Sequence, residues 1–151
     1  MAFQYYFASG DKTLGDDSFD QFERLFGGRR TDLNNTSIHG PLTPANLSAI
    51  GMRLTLSPSD NWDARLHYSA AYLAESSDKF VIGKYQDASG QAGDFVGHTL
   101  DSRLRFKFDD KRWIVDLGAS LFFPGGYLKH VRGAEETERT TFGYAQLSYQ
   151  F

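Results

Sequence analysis

The chain of 151 residues has no cysteine, no long apolar run and no excess of basic residues. Without cysteine it can form neither disulfides nor thiolate metal sites. A membrane helix needs about 20 consecutive apolar residues, and since the mean hydropathy is -0.45 and no such run exists, no transmembrane helix is predicted. The 16 basic and 19 acidic residues give a net charge of -3, so no global field points to nucleic acid. Any electrostatic role must come from the positions of individual charges.

The start of the chain also lacks the basic, apolar and small-residue regions of a secretory signal. Met1 leads almost directly into an aromatic run. Three explanations are open: a signal was removed, the chain is a piece of a longer protein, or the protein is soluble.

Aromatic residues are numerous for so polar a chain, with 13 Phe, 8 Tyr and 2 Trp. Apolar and polar residues alternate with period two in several segments, which is typical of strands with two different faces. The pattern predicts about six strands, at residues 3–10, 47–56, 62–72, 100–108, 112–121 and 142–151. Because helical periodicity is nearly absent, the sequence predicts an all-β protein.

The connections between these strands alternate in length. Residues 57–61 and 109–111 consist of turn-forming residues, whereas the connections 11–46, 75–98 and 124–139 are long. Bacterial outer-membrane barrels combine short periplasmic turns with long extracellular loops in this way. The sequence therefore predicts a transmembrane antiparallel up-and-down β-barrel. Residues 80–85 and 94–98, within the second long connection, are candidates for extending the neighbouring strands.

Aromatic residues at the predicted strand ends indicate two interfacial girdles. The girdle at the tight turns comprises Trp62, Phe108, Trp113 and Phe151, and the opposite one comprises Tyr72, Phe122 and Phe123. Aromatic residues also favour strand ends in any β protein, which is the alternative explanation. The last strand, with Leu147, Tyr149 and Phe151 on one face, is similar to the signal read by outer-membrane insertion machinery. A soluble β-sandwich or lipocalin-like binding module, with the apolar face as its core, would alternate in the same way.

If the apolar face meets lipid, the other face lines a lumen that is rich in basic residues. Rings of Arg and Lys suit anion pores, because guanidinium stays charged and binds carboxylates through a bidentate fork. The predicted pore-lining residues are Arg53, Arg65, His67, Arg103, Arg105, Lys107, Arg112 and Asp116. In the alternative interpretation, these residues only fill a polar lumen and are neutralised by neighbouring Asp.

Signals for catalysis or metal binding are weak. The four histidines lack metal-ligand spacing, and there is no nucleophile elbow or phosphate-binding glycine loop, so neither an enzyme nor a cofactor is predicted. Asp16, Asp17 and Asp20 form a weak Ca²⁺ candidate. Because they lack the spacing of an EF-hand, we favour a solvated charge cluster.

Four segments resemble the alginate-export family of outer-membrane porins. They are residues 3–11 (FQYYFASGD), 22–27 (FERLFG), 117–127 (LGASLFFPGGY) and 149–151 (YQF). Members of that family are large single-chain barrels with a basic, arginine-lined constriction that conducts a negatively charged polyuronate. The resemblance implies that the chain is the C-terminal part of such a barrel, in the bacterial outer membrane.

The number of strands sets a further expectation. Six strands would close into a barrel narrower than an eight-stranded one, whose interior is already filled by side chains, and an open sheet would expose its edges to lipid. Residues 1–151 are therefore expected to form a single β-barrel domain or the C-terminal segment of a larger barrel. Strands from the long loops, self-association or missing N-terminal strands would complete it.

The predicted function is an outer-membrane channel for anionic solutes, with a polyuronate such as alginate as the expected substrate. The expected partners are membrane lipid or detergent and an anionic polysaccharide or small anion, with no nucleic acid. Two other functions are kept as alternatives: the soluble binding module, and a barrel fragment that transports nothing.

Overall fold

The computed structural model describes residues 1–13, 15–22, 33, 42–132 and 138–151. Within these ranges it contains six strands and one short helix. They are β1 (Ala2–Ala8), β2 (Leu47–Ser59), β3 (Trp62–Tyr72), β4 (Phe95–Phe108), β5 (Trp113–Pro124), α1 (Gly126–Arg132) and β6 (Thr140–Tyr149). The six predicted strands are confirmed, whereas α1 was not predicted. Residues 23–27, which carry part of the family resemblance, lie outside the described ranges.

All six strands form one antiparallel sheet in the order β1-β2-β3-β4-β5-β6. Each strand therefore pairs with its neighbour in the chain, which is the predicted up-and-down order. Among the described residues the sheet is open, with β1 and β6 as its edges. The open sheet does not confirm a closed barrel. The described residues include no helix long and apolar enough to cross a membrane.

The two tight turns lie at one end of the sheet, here called the turn end. Asp109, Asp110 and Lys111, which connect β4 to β5, all have left-handed backbone conformations with φ of 51°, 50° and 70°. The Arg112 N–H donates to the Asp109 carbonyl at 3.0 Å and closes this turn. The three long connections lie at the opposite end, here called the loop end. The alternation of short and long connections is thus reproduced.

The cross-strand register separates the sheet into two faces. On the apolar face, Met52 lies opposite Tyr68, which lies opposite Leu100. Large side chains of this face are exposed, with Leu66 at 46% and Leu104 at 42%. A soluble sheet buries its apolar face, but here no second sheet covers that face within the described residues.

A core of apolar side chains covers the polar-face side of the sheet at the loop end. This loop-end core consists of Leu33, Leu42, Leu47, Ala49, Ala71, Leu73, Phe80, Val96, Phe122, Tyr127 and Leu128. Its members come from strands, from α1 and from the described parts of the first two long connections, which therefore pack over the sheet. Phe122 was predicted to belong to an aromatic girdle, and that prediction was wrong. It is buried in the core, while Phe123, which points to the other face, is exposed.

The two segments expected to extend strands differ in outcome. Residues 95–98 are the first residues of β4, so that strand does extend beyond its predicted start. Residues 80–85 form only an isolated bridge between Phe80 and Tyr85. Phe80 is buried in the loop-end core, and Tyr85 packs against that core.

Candidate functional site

The polar face of the sheet carries most of the charged side chains predicted to line a pore. Three successive rungs of the ladder contain them, each two residues further along the strands. The first rung has Arg53 opposite His67 and Asp101, the second has Arg65 opposite Arg103, and the third has Asp63, Arg105 and Asp116 side by side. Six of the eight predicted residues are therefore brought together.

The other two predicted residues lie towards the turn end. Lys107 follows Arg105 on the same face of β4, opposite Ile114. Arg112 lies in the turn before β5, where its guanidinium donates to Asp109 at 2.9 Å. Both partners of that pair are at least half exposed, so Arg112 is not part of the polar face.

Two of the four arginines on this face are held by carboxylates. Arg103 Nη2 donates to Asp63 at 2.7 Å, and both side chains are about 15% exposed. Arg105 donates to Asp116 from Nε at 3.0 Å and from Nη2 at 2.9 Å. Charge-assisted pairs of this kind fix the side chains and compensate their charge. For Arg103 and Arg105, the structure therefore agrees with the alternative interpretation, in which neighbouring Asp residues neutralise the basic side chains.

Arg53 differs from these two arginines. Within the described part of the chain it forms no ion pair, and its Nε is buried without a hydrogen-bond partner. Arg65, on the next rung, lies directly opposite Arg103, and like charges in that position repel each other. Among the described residues no carboxylate forms an ion pair with Arg53, so the positive charge of Arg53 is not compensated there.

His67 and Asp101 form the buried centre of the same face. They are 4% and 0% exposed, and His67 Nδ1 lies 3.9 Å from Asp101 Oδ2. This distance is too long for a direct hydrogen bond. Among the described strand residues of this face, the three carboxylates of Asp63, Asp101 and Asp116 stand against five Arg and Lys side chains, a surplus of two positive charges.

Two groups that organise this site are absent from the predicted pore-lining residues. Asp63 was not among the predicted site residues, although it holds Arg103. Tyr144 on β6 donates its hydroxyl to Asp116 Oδ1 at 3.0 Å. The parity of the last strand contained the signal for Tyr144, because Leu147 and Tyr149 are apolar-face residues and residue 144 has the opposite parity.

The weak Ca²⁺ candidate belongs to the first long connection. Asp16 accepts hydrogen bonds from the Ser18 backbone N–H at 3.0 Å and from its hydroxyl at 2.9 Å, and Asp16, Asp17 and Asp20 are exposed. In the described ranges, no group of three or more His, Cys, Asp or Glu is placed to hold a metal ion. Asp16 is thus a local turn cap.

Comparison with known protein families shows to which family the chain belongs. A model of the alginate export family matches residues 1–142. The chain belongs to this family. No curated protein matches the chain. The match confirms the resemblance seen in the short sequence segments, and the alginate export family is one of transport proteins, which suggests an export channel in the outer membrane.

Proposed function

We propose that this chain builds part of the wall of an outer-membrane β-barrel channel, which passes an anionic solute along its polar face. The single observation that carries the proposal is the reversal of the two faces. Leu66 and Leu104 are exposed on the apolar face, whereas His67 and Asp101 are buried on the polar face. Lipid-facing apolar residues that alternate with polar lumen residues are the pattern of a transmembrane barrel.

The substrate that we propose is a polyuronate such as alginate. Membership of the alginate export family supports this choice, as does the surplus of positive charge on the polar face. Arg53 is the residue that we expect to contact the carboxylates of the polymer. Its guanidinium is not held by a carboxylate of the described residues, so it can offer a fork of N–H donors to a passing anion.

Such a channel needs a closed sheet, because unpaired backbone groups at a sheet edge are not tolerated in lipid. We propose that additional strands pair with β1 and β6, which are the edges of the described sheet. A longer chain or further copies of this one would supply them. Mass measurement in detergent distinguishes these two sources, since a barrel built from copies has a multiple of the 17.0 kDa chain mass.

Planar bilayer recordings test the selectivity and the role of Arg53. In a salt gradient the reversal potential should show a preference for anions, and added polyuronate should block the current. Arg53→Gln should shift the reversal potential towards zero and weaken the block. Arg103→Gln should weaken the block less, because Asp63 already occupies that guanidinium.

Arg112→Gln is the matched control, since it removes the same charge from the exposed turn. It should leave both the block and the selectivity close to those of the unmodified chain. Equal permeability for anions and cations in the unmodified protein would refute the proposed selectivity.

A further inference from the structure

A cavity of about 210 Å³ lies on the polar face, between β1, β2 and β3 and next to the loop-end core. Residues of two kinds line it. Leu33, Ala49 and the ring of Tyr6 provide apolar surface, and Gln4, His67 and Ser69 provide polar groups. The space is too large for a single water molecule, which occupies about 30 Å³ in the liquid. It is comparable with the volume of one six-membered sugar ring and its substituents.

One polar group of this cavity lacks a partner. The side-chain oxygen of Gln4 is buried and accepts no hydrogen bond from any described residue. A buried acceptor without a donor costs free energy, so a rotation of the Gln4 side chain that brings this oxygen to an O–H group of a ligand in the cavity would gain a hydrogen bond. Ser69 lies on the other side of Gly51 from Gln4 in the sheet, and it is fixed because its Oγ is 2.7 Å from Thr99 Oγ1.

Gly51 keeps the cavity open. A Cβ at this position would lie 2.8 Å from the Tyr68 carbonyl oxygen and 3.0 Å from His67 Nε2. Because Gly51 has no side chain, the imidazole of His67 has room to line the cavity. Arg53 lies two residues further along β2, on the same face. A ligand in the cavity would thus have a cation next to it.

We infer that this cavity is a subsite for one sugar ring of the transported polymer. The C–H face of the ring would pack against Ala49, Leu33 and Tyr6, and its hydroxyls would bond to Gln4, His67 and Ser69. A carboxylate on the ring would extend towards Arg53. The inference rests on the proposed function and adds to it that the chain recognises the neutral part of the sugar as well as its charge.

Ligand-observed NMR with the full chain folded in detergent micelles tests this inference. The probes are glucose, which is neutral, and glucuronate, which carries a carboxylate on the same ring. Both should bind saturably. Gln4→Leu removes the unpartnered oxygen at nearly constant volume and should weaken both probes by about tenfold. Arg53→Gln should weaken glucuronate and leave glucose unchanged.

Gln146→Leu is the matched control, because Gln146 lies on the same face of the sheet but on β6, the edge strand opposite to β1. It should bind both probes like the unmodified chain. Gln4→Ala is a second variant at the cavity, and circular dichroism should show for each variant the same strand content as for the unmodified protein.

The outcomes separate the subsite from the proposed channel. If glucose does not bind saturably, or if Gln4→Leu and Gln4→Ala bind as well as Gln146→Leu does, the subsite is refuted, and the proposed channel stands or falls on the bilayer recordings. If Gln4→Leu weakens both probes while the bilayer shows no preference for anions, the subsite is supported and the proposed selectivity is refuted.

Discussion

Arg105 places two hydrogen bonds on one carboxylate oxygen of Asp116, from Nε at 3.0 Å and from Nη2 at 2.9 Å. The other oxygen of Asp116 accepts the hydroxyl of Tyr144 at 3.0 Å. Three adjacent strands, β4, β5 and β6, are thereby joined on the polar face by one carboxylate. The Asp116 side chain is 12% exposed, so solvent screens these bonds only in part.

Asp116→Ala should therefore destabilise the sheet. It removes three hydrogen bonds and leaves the Arg105 charge without its partner, and we expect a loss of about 2 kcal/mol in the free energy of unfolding. Asp109→Ala, which breaks the exposed pair with Arg112, should cost less than about 1 kcal/mol. Urea unfolding, followed by the fluorescence of Trp62 and Trp113, measures both. Equal losses would show that the Asp116 network stabilises the sheet no more than the exposed Asp109–Arg112 pair does.

Gly118→Ala should disturb the same network. Gly118 lies opposite Tyr144, and a Cβ there would overlap the Tyr144 ring. The ring must move, which weakens its bond to Asp116, and the expected cost is about 1–3 kcal/mol. Gly143→Ala is the control, because its Cβ would meet only the Gly118 carbonyl at 3.7 Å. A Gly118→Ala variant as stable as Gly143→Ala would contradict the close packing of the ring.

Asn46 connects the first two long connections. Its φ is 46°, its Oδ1 accepts the Glu75 N–H at 2.7 Å, and its Nδ2 donates to the carbonyls of Glu75 and Lys79. Asn46→Ala loses these bonds and strains the left-handed backbone, whereas Asn46→Gly loses only the bonds. Hydrogen exchange at residues 75–79 should accelerate in both variants, and more strongly in Asn46→Ala. Unchanged exchange would mean that other contacts hold the second connection.

Tyr127 of α1 connects the second and third long connections. Its burial leads us to expect that the stability of the fold depends on pH. Its side chain is fully buried, and its hydroxyl donates to the Tyr85 carbonyl at 3.0 Å. Burial raises the pKa of Tyr127 above its ordinary value of 10.0. A raised pKa means that the folded state binds the proton more tightly, so this contribution to stability is complete below pH 10 and is lost as the pH rises further.

Tyr127→Phe removes that titration. Near pH 7 it should cost about 1 kcal/mol, because the Tyr85 carbonyl loses its partner. Above pH 10 the difference between the two proteins should shrink, since only the unmodified chain then loses the Tyr127 contribution. Urea unfolding at pH 7 and at alkaline pH measures it. A constant difference would refute the titration.

Leu104→Arg tests whether the apolar face meets lipid. Leu104 lies on that face of β4, four residues before the strand ends at Phe108, and is 42% exposed. On the lipid side an arginine costs about 2–4 kcal/mol at the bilayer midplane and less towards either interface. Gln146→Arg, which adds the same charge on the polar face, should cost much less. The free energy of folding of each variant into lipid vesicles is measured at graded urea concentrations. Equal costs for the two variants would refute a lipid-facing side.

The sequence by itself determined the strands, the two faces and the family. Period-two alternation depends only on residues two positions apart, so the strands could be predicted to within a few residues. The assignment of Arg53, Arg65, Arg103 and Arg105 to one face follows from the same parity. The tight turns also carry local signals, as in Asp109 and Asp110.

Only the tertiary structure decided which charges are compensated. Arg103 is held by Asp63, forty residues away, and this pairing depends on the register between β3 and β4, which no local pattern contains. The loop-end core depends in the same way on long-range packing, because Phe122 is buried among residues of α1 and of the described parts of the long connections. Local alternation thus defines the faces, and the register between strands decides that Arg53, rather than Arg103 or Arg105, is the arginine whose charge no carboxylate of the described residues compensates.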